Sequence, residues 1–375
     1  MACPDCISHQ IGSAELVNRL AGQPGDFPIA GSLELTLRCN VRCRHCYILY
    51  PGATTGEMST DEVKAILNRL ADQGVLFLLL TGGEIFARCD FREIYLHAKR
   101  LGFLLTLFTN ATLIDEDTAD FLAEWPPRRI EVTIYGHTEE TYEKVTGVRG
   151  SFARFRRGVE LLRARNLPLA LKTVAMKTNR HEFEDIKAWA EGLGVPFRFD
   201  AVINPRLDGG TGVLDERLEP EDVVRLDGVS NAHREHYQRL MDKAQQRPRS
   251  GKAFTCGAGI KTFHVDPRGQ LHPCMMWRAT PYDFKAGTIE GWHTHLAALR
   301  ETTVPADSGC RSCAHHLGCN NCAATSALEN HGVPGKPVGY YCQINGAREK
   351  LLDLRRFAIN PDSTISPVSE MVSAG

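Results

Sequence analysis

Six short apolar runs alternate with amphipathic helical patterns between about residues 33 and 203, and this alternation limits the possible folds most strongly. The runs are LELTL (33–37), LFLLL (76–80), LLTLF (104–108), IEVTIY (130–135), LALKTVAM (169–176) and FRFDAVI (197–203). Strands that are apolar almost throughout are typical of a parallel sheet covered on both faces. Six β-α units fall short of the eight that close a full barrel. The predicted fold class is therefore α/β, a partial (β/α)6 TIM barrel.

The helices between these runs have recognisable ends. Ser59 and Glu62 predict a capping box, and Gly74 is expected to end the same helix. Ser151 is expected to begin a later helix in the same way. In folds of this kind the chemistry gathers at the carboxyl ends of the strands.

Composition narrows the class of protein. The chain has 375 residues, of which 43% are hydrophobic, and a formal net charge of −1. This charge favours neither nucleic acid nor an anionic membrane as a partner. The N-terminal residues lack a signal pattern, and no segment approaches the roughly 20 apolar residues that span a bilayer. We therefore expect a cytoplasmic protein with no nucleic acid and no membrane partner.

The thirteen cysteines lie in two groups, with none between Cys89 and Cys256. Cytosolic thiols are kept reduced, so clusters of this kind indicate metal rather than disulfides. The odd number of cysteines also argues against a fully disulfide-bonded chain.

The first group, Cys39, Cys43 and Cys46, has the spacing C-x3-C-x2-C and follows the first predicted strand directly. Thiolates are the natural ligands of iron–sulfur clusters. A cubane cluster has four irons, so three cysteines leave one iron open to an exchangeable ligand. The alternative is a partial zinc site, although no fourth ligand stands at zinc-ribbon spacing.

Polar residues and glycines stand at the ends of the next strands. The sequence TGGE, Thr81 to Glu84, ends the second strand. Its glycines would let the backbone approach a ligand, and Glu84 could accept hydrogen bonds from an ammonium group. Asn110 ends the third strand and Thr133 lies in the fourth. All of these residues should meet at one edge of the sheet.

Other polar positions leave two interpretations open. Lys172, in the apolar fifth run, either lines the barrel interior near a substrate or points to a solvated edge. Asp200, Asn204 and Arg206, at the end of the sixth run, either meet substrate or organise the domain junction.

The cysteine loop followed by a GGE strand end resembles the radical S-adenosyl-L-methionine (SAM) superfamily. The resemblance implies a [4Fe–4S] cluster on Cys39, Cys43 and Cys46, whose free iron chelates the amino and carboxylate groups of SAM. It further implies that the segment from Thr81 to Glu84 binds the methionyl amino group. Asn110 and Thr133 would lie near the ribose and the carboxylate. Either Arg149 or Arg154 could pair with that carboxylate.

The C-terminal cysteines resemble the SPASM domain, an extension of radical SAM enzymes that holds two auxiliary [4Fe–4S] clusters. Cys256, Gly269 and Cys274 match its first spacing, and the next three cysteines match a C-x2-C-x5-C run. The family then has x3 where this chain has x2 before Cys322. The implied outer cluster is held by Cys310, Cys313, Cys319 and Cys342. The inner cluster is held by Cys256, Cys274 and Cys322, with its fourth ligand open.

Several residues keep other interpretations open. His264, His272, His315 and His316 surround the C-terminal cysteines and leave zinc as an alternative there. Cys3 and Cys6 could bind a metal or complete the inner cluster, but a free pair is favoured. Cys89 is interpreted as a buried or partly exposed bystander.

These patterns predict five segments. They are an N-terminal extension (1–32), the radical SAM partial barrel (33–212), a helical linker (213–255), a small iron–sulfur cluster-binding SPASM domain (256–350) and a C-terminal tail (351–375).

The resemblance implies an enzyme that cleaves SAM reductively to a 5′-deoxyadenosyl radical and oxidatively modifies a ribosomal peptide or protein side chain. Expected cofactors are SAM and three [4Fe–4S] clusters, with flavodoxin or ferredoxin as electron donor. About 30 residues precede the first strand, so a leader peptide would be bound by a separate protein or by the barrel and linker. The alternative is a small-molecule enzyme, such as a porphyrin side-chain decarboxylase or a sugar-oxidising or epimerising enzyme. A third hypothesis is a non-catalytic iron–sulfur carrier or a zinc-stabilised binding module, against which the intact GGE loop argues.

Overall fold

In the computed structural model, the described residues include most of the two cysteine-rich regions and the whole sheet. The described residues are 27–48, 55–228, 235–240, 242, 251–313, 319 and 321–356. Cys3, Cys6, His315 and His316, with the roles predicted for them, lie outside these residues.

Each of the six predicted strands is confirmed. The strands are β1 (Ala30–Thr36), β2 (Phe77–Gly82), β3 (Leu104–Thr109), β4 (Arg129–Thr133), β5 (Leu169–Val174) and β6 (Phe197–Asp200). They are parallel and pair in sequence order, as expected for a partial (β/α)6 barrel. All six carboxyl ends therefore lie at one edge of the sheet.

Helices separate successive strands. In the barrel they span Thr60–Asp72, Phe91–Arg100, Glu116–Glu124, Glu139–Thr146, Ser151–Ala164 and Phe183–Gly192. In the rest of the described chain they span Pro220–Asp227, residues 235–240, Ile289–Arg300, Ala323–Glu329 and Gly339–Arg356.

One predicted helix end is confirmed and another is different. Ser59 and Glu62 form the predicted capping box, and Gly74, with a φ of 76°, follows the end of that helix. Ser151 is instead the first helical residue, after Gly150 at the cap with a φ of 73°. The Ser151 hydroxyl bonds Thr146 Oγ1 at 2.7 Å and so does not cap the helix. A serine before an apolar face predicts a helix start only to within a residue.

The sheet continues past the barrel strands into the C-terminal region. There the strands are β7 (Phe263–Val265), β8 (Gln270–His272) and β9 (Tyr282–Asp283). β7 lies parallel to β1, and β8 and β9 follow in antiparallel order. The sheet order is therefore β6-β5-β4-β3-β2-β1-β7-β8-β9. The segment before Cys274 is thus joined by backbone hydrogen bonds to the strand that leads into Cys39.

One hydrophobic core holds the sheet to its helices. It includes fully buried side chains from the first strand, the first helix and the C-terminal strands, among them Leu33, Leu35, Val63, Leu67 and Val265. Burial of such side chains contributes about 1.5–3 kcal/mol each. The core therefore makes the sheet a rigid base for the loops at its carboxyl edge. Among the described helices, none is long and apolar enough to cross a membrane.

Candidate active site

A cavity of about 280 Å³ opens at the carboxyl ends of the barrel strands. The three loop cysteines Cys39, Cys43 and Cys46 line one side of it. The strand-end residues predicted to bind SAM line it as well, namely Thr81, Gly82, Gly83, Asn110 and Thr133. Glu84, the last residue of the TGGE segment, is not part of this lining.

The cysteine loop is held at its start by a buried carboxylate from another loop. Glu57 Oε1 accepts hydrogen bonds from the Leu37 amide at 2.7 Å and from Thr36 Oγ1 at 3.0 Å. Thr36 Oγ1 in turn accepts from the Arg38 amide at 3.0 Å. Residues 36–38 are therefore fixed immediately before Cys39.

Further along, the cysteine loop is tied to the end of the helix Glu139–Thr146. The Arg42 amide donates to the Thr146 carbonyl at 2.7 Å, and the Arg44 amide donates to the Val145 carbonyl at 3.0 Å. Gly147, which follows that helix with a φ of 66°, lies next to Arg42. These bonds curl the loop over the barrel mouth instead of letting it extend into solvent.

The three thiols suit an iron–sulfur cluster in both position and surroundings. Burial raises the pKa of Cys39 to about 11 and raises that of Cys43 further. Bound iron would favour the thiolate that burial disfavours. Among the described residues, no three Cys, His, Asp or Glu side chains converge where one metal ion could sit. A cubane needs no such convergence because each thiolate binds a different iron.

Gly82 and Gly83 contact the backbone that leads into the cysteine loop. A Cβ at Gly82, whose φ is 137°, would collide with the Thr36 carbonyl oxygen, and one at Gly83 would collide with that of Arg38. The Gly83 and Glu84 amides donate to these two oxygens, each at 2.8 Å. The glycines therefore bring the strand end against the cysteine loop, besides facing the cavity.

Glu84 is fully buried and binds protein groups. Its carboxylate accepts from Thr109 Oγ1 and from the Asn110 amide, both at 2.8 Å, and from the Phe86 amide at 3.3 Å. Burial raises the pKa of Glu84 to about 7 because its effect outweighs that of these hydrogen bonds, which lower the pKa. Glu84 thus links the end of β2 to the end of β3. The direct contact with an ammonium group that we predicted from its side chain remains untested.

Asn110 connects this strand end to the cysteines. Its Nδ2 donates to Asn40 Oδ1 at 3.1 Å and lies 3.8 Å from Cys39 Sγ. Its Oδ1 accepts from the Thr112 amide at 2.9 Å and from Thr112 Oγ1 at 2.6 Å. The amide is therefore fixed in orientation where the cavity meets Cys39.

His45 lines the cavity and was missed by our sequence reasoning. Its Nδ1 is buried without a hydrogen-bond partner among the described residues. Burial lowers its pKa to about 4, so the ring is neutral at pH 7. Its place between Cys43 and Cys46 was the available signal, because a loop that curls over a cavity must point some side chains inward.

Lys172 lines the cavity, which decides between its two interpretations in favour of the barrel interior. Arg198, from the neighbouring strand, lines it too and was missed. Arg149 and Arg154, the predicted carboxylate partners, are not among the lining residues. An arginine inside a four-residue strand gave no sign of facing a cavity.

The comparisons with known proteins agree with this geometry. Residues 33–190 match the model of the radical SAM superfamily. A PqqA peptide cyclase from Rhodopseudomonas palustris is 33% identical over 267 residues, which cover 66% of this chain and 67% of that protein.

The chain belongs to the radical SAM superfamily. Members of this superfamily use SAM and a [4Fe–4S] cluster, and the chemistry of the three loop cysteines fits such a cluster.

Two further relatives of this radical SAM protein differ in what their names describe. An AdoMet-dependent heme synthase from Methanosarcina barkeri is 32% identical over 198 residues, covering 52% of this chain and 55% of that one. AlbA, a subtilosin biosynthesis protein from Bacillus subtilis, is 27% identical over 272 residues, which cover 70% of this chain and 57% of AlbA. The chain thus spans a little over half the length of these two relatives.

A solved structure shares the fold. The structure of SuiB from Streptococcus suis bound to its precursor peptide SuiA has a TM-score of 0.67 at 15% identity. The match covers 84% of this chain and 76% of that one. At this identity the likeness concerns the fold alone.

Several C-terminal cysteines of the radical SAM protein lie near one another. Burial raises the pKa of Cys274, and the nearby thiols of Cys322 and Cys256 add to this rise. Burial likewise raises the pKa of Cys319, and the nearby thiols of Cys342 and Cys313 add to this rise. Cys342 also lies near Cys310. The division of these cysteines into an inner and an outer cluster, and their role as ligands, stays a prediction.

His264 and His272, two of the four histidines named in the sequence analysis, contact acidic side chains. His264 Nε2 lies 3.3 Å from Glu34 Oε2 and its Nδ1 lies 2.7 Å from Ser32 Oγ. His272 Nε2 lies 3.2 Å from Asp266 Oδ2. These contacts account for two of the four histidines that had left zinc as an alternative in the sequence analysis.

Cys89 is exposed, contrary to the predicted buried or partly exposed position. It follows the short 3-10 turn Ile85–Ala87 after the GGE strand end, where the chain returns to the surface.

A second cavity of about 420 Å³ adjoins the first. Both are lined by Asp200, Val202 and Asn204, and the second also reaches Cys319 and Cys322. Tyr341, on its wall, donates from its hydroxyl to Asn204 Oδ1 at 2.9 Å. Asp200 and Asn204 therefore face both cavities, whereas Arg206 bonds Asp208 at 3.0 Å. Asn204 therefore joins the sixth strand end to the C-terminal helix, and contact of these residues with substrate stays a prediction.

Proposed function

We propose that this protein is a radical SAM enzyme that oxidatively modifies a side chain of a ribosomal peptide or protein. The observation that carries the proposal is the single cavity shared by Cys39, Cys43 and Cys46 and by the ends of β2, β3 and β4. When bound and reduced by the electron donor, the cluster would supply the electron that breaks a C–S bond of SAM, and the 5′-deoxyadenosyl radical would take a hydrogen atom from the substrate.

The residues of the chain position and enclose these reactants. Backbone groups of Gly82 and Gly83, together with Asn110 and Thr133, are proposed to hold SAM against the open iron. The Glu57 carboxylate positions the backbone that leads into the cysteine loop, and the Glu84 carboxylate positions the end of β3 at Asn110. Rigid placement matters because a reactive radical must meet one C–H bond with water kept out.

We further propose that the two C-terminal cysteine groups hold two auxiliary [4Fe–4S] clusters, for three in all. The inner group would be Cys256, Cys274 and Cys322, and the outer group the remaining four cysteines of that region. Support comes from the proximity of the thiols within each group. Two further clusters suit an oxidation, and the second cavity leads from the barrel to Cys322.

The peptide substrate is supported by the names of relatives that act on or bind peptides. The PqqA peptide cyclase and peptide-bound SuiB are such proteins. The heme synthase relatives favour the alternative, a small-molecule radical enzyme. A flavodoxin or ferredoxin as electron donor, a separate leader-peptide-binding protein and the cytoplasmic location belong to the same proposal.

The substrate class can be tested with the anaerobically reconstituted protein. Short peptides encoded beside the gene, and separately a porphyrin carrying propionates, are incubated with SAM and a strong reductant. Mass spectrometry then detects any change in substrate mass, and deuterated substrate shows whether hydrogen enters 5′-deoxyadenosine. Transfer from a peptide supports the proposal. Transfer from the porphyrin alone would establish the small-molecule alternative.

Auxiliary clusters are tested by iron and sulfide counts. Three clusters give about twelve irons per chain, and replacing Cys39, Cys43 and Cys46 with alanine should leave about eight. A wild-type count of about four would refute the auxiliary clusters without touching the radical SAM site.

A further inference from the structure

Two cationic side chains lie side by side on the wall of the cavity. Lys172 on β5 is directly opposite Arg198 on β6, and Thr133 on β4 is opposite Lys172 on the other side. All three line the cavity. Side chains at paired positions of neighbouring strands point to the same face. The three residues therefore form one row across the barrel wall.

A glutamate holds this row in place. Glu131 Oε2 accepts two hydrogen bonds from Arg198, at 2.7 Å and 3.1 Å. The same oxygen is 3.9 Å from Lys172 Nζ, within ion-pair range but beyond hydrogen-bond reach. The Lys172 ammonium also lies over the Phe108 ring. Glu131 thus positions the Arg198 guanidinium, while the Lys172 ammonium makes a weaker contact with the same carboxylate.

Lys172 and Arg198 share one carboxylate, that of Glu131. Asp200, two residues after Arg198, also lines the cavity. Burial lowers the pKa of Lys172 well below its usual range, so burial makes its charged form costly. A second carboxylate at this position would offset that cost, because opposite charges attract more strongly in a low dielectric.

We propose that Lys172 and Arg198 bind a carboxylate of the substrate, such as an Asp or Glu side chain or a C-terminus. This inference rests on the proposed function and names the chemical class of its substrate. The carboxylate is assigned to the substrate because Arg198 lies on the strand whose end, at Asp200, borders both cavities. The methionyl carboxylate of SAM carries the same chemistry, and the experiment below separates the two sources.

The probe is glutarate, with glutaramide as its uncharged counterpart. Saturation-transfer difference NMR measures the binding of each to the anaerobic, reconstituted protein at millimolar concentration. The variants are Lys172→Met and Arg198→Gln. The matched control is Arg129→Gln, because Arg129 also lies 3.9 Å from the Glu131 carboxylate but does not line the cavity.

We expect a glutarate signal from the wild type and from Arg129→Gln that is at least fivefold smaller in Lys172→Met and Arg198→Gln. Glutaramide should give at least a fivefold smaller signal with the wild type, and saturating SAM should leave the glutarate signal unchanged. Formation of 5′-deoxyadenosine without substrate should stay within twofold of wild type in Arg129→Gln.

Three results would overturn the inference. They are a wild type that does not bind glutarate, a signal that both cavity variants retain, and displacement of glutarate by SAM. Should Lys172→Met fail to fold, Arg198→Gln carries the same test, since the Arg198 side chain is 55% exposed. Absence of 5′-deoxyadenosine in the wild type would instead refute the proposed function, whatever glutarate does.

Discussion

Replacing Gly82 with alanine tests whether the strand end supports the cysteine loop. The new Cβ would collide with the Thr36 carbonyl oxygen, and the residue would keep a φ of 137° that alanine rarely adopts. Backbone strain of this kind costs about 1–3 kcal/mol. Overpacking against a rigid neighbour adds about 1–3 kcal/mol. We expect Thr36 and the loop behind it to be displaced.

The matched control is Gly74→Ala. Gly74 also has a positive φ, of 76°, but nothing lies within 4 Å of the position its Cβ would take. It should cost only the backbone strain, about 1–2 kcal/mol. An effect of Gly82→Ala beyond the roughly 3 kcal/mol that strain alone can cost then measures the collision with the loop.

The assays are the apparent Tm, iron content and 5′-deoxyadenosine formation of both variants. For Gly82→Ala we expect a larger fall in Tm, loss of up to one cluster, about four irons, and at least tenfold slower product formation. A displacement near 1 Å is sufficient for such a loss in rate. If Gly82→Ala matched Gly74→Ala in all three measurements, the argument that Gly82 positions the cysteine loop would be wrong.

Three further predictions follow from other contacts. Glu57→Ala should leave the Leu37 amide and the Thr36 hydroxyl without their acceptor. It should lower the free energy of unfolding by about 1–3 kcal/mol and lower the iron content. The control Glu62→Ala, at the surface capping box, should keep the iron. His264, whose pKa burial lowers to about 4, should remain neutral in the folded chain while the unfolded chain binds a proton below about pH 6.5. The free energy of unfolding should therefore fall by about 2 kcal/mol as the pH drops from 6.5 to 5. Urea unfolding of His264→Asn should show a shallower pH dependence than that of the wild type. An equal pH dependence in the two proteins would contradict the argument that His264 is neutral. Cys89→Ser, at an exposed thiol, should leave iron content and 5′-deoxyadenosine formation unchanged, and a lower iron count would assign that thiol to a cluster.

The barrel could be predicted because its signals are local. Each buried parallel strand needs an unbroken apolar run, and each helix needs an apolar stripe and caps, so the six runs and the Ser59–Glu62 box carry the pattern within a few residues. The cavity-facing cysteines and glycines were also found, because thiolate spacing and glycine pairs are rare enough to be noticed.

The remaining features depend on partners that are distant in sequence. β7 is three residues long, and its pairing with β1, more than 200 residues away, leaves no periodic signal. His264 resembled a metal ligand until Glu34 and Ser32 were seen beside it. Likewise, the hydrogen bonds that Thr109 and Asn110 donate to Glu84 left no signal in the sequence. Tertiary contacts of this kind decide which polar groups face the cavity.

The central claim is that the cysteine loop and the neighbouring strand ends form a SAM-cleaving site. It is tested most directly by measuring 5′-deoxyadenosine in the anaerobic, reconstituted protein after addition of SAM and a strong reductant. The account predicts product from the wild type and at least a hundredfold less from Cys43→Ala, with the C-terminal irons retained. No product from a wild type that carries its full iron, or equal product from Cys43→Ala, would contradict it.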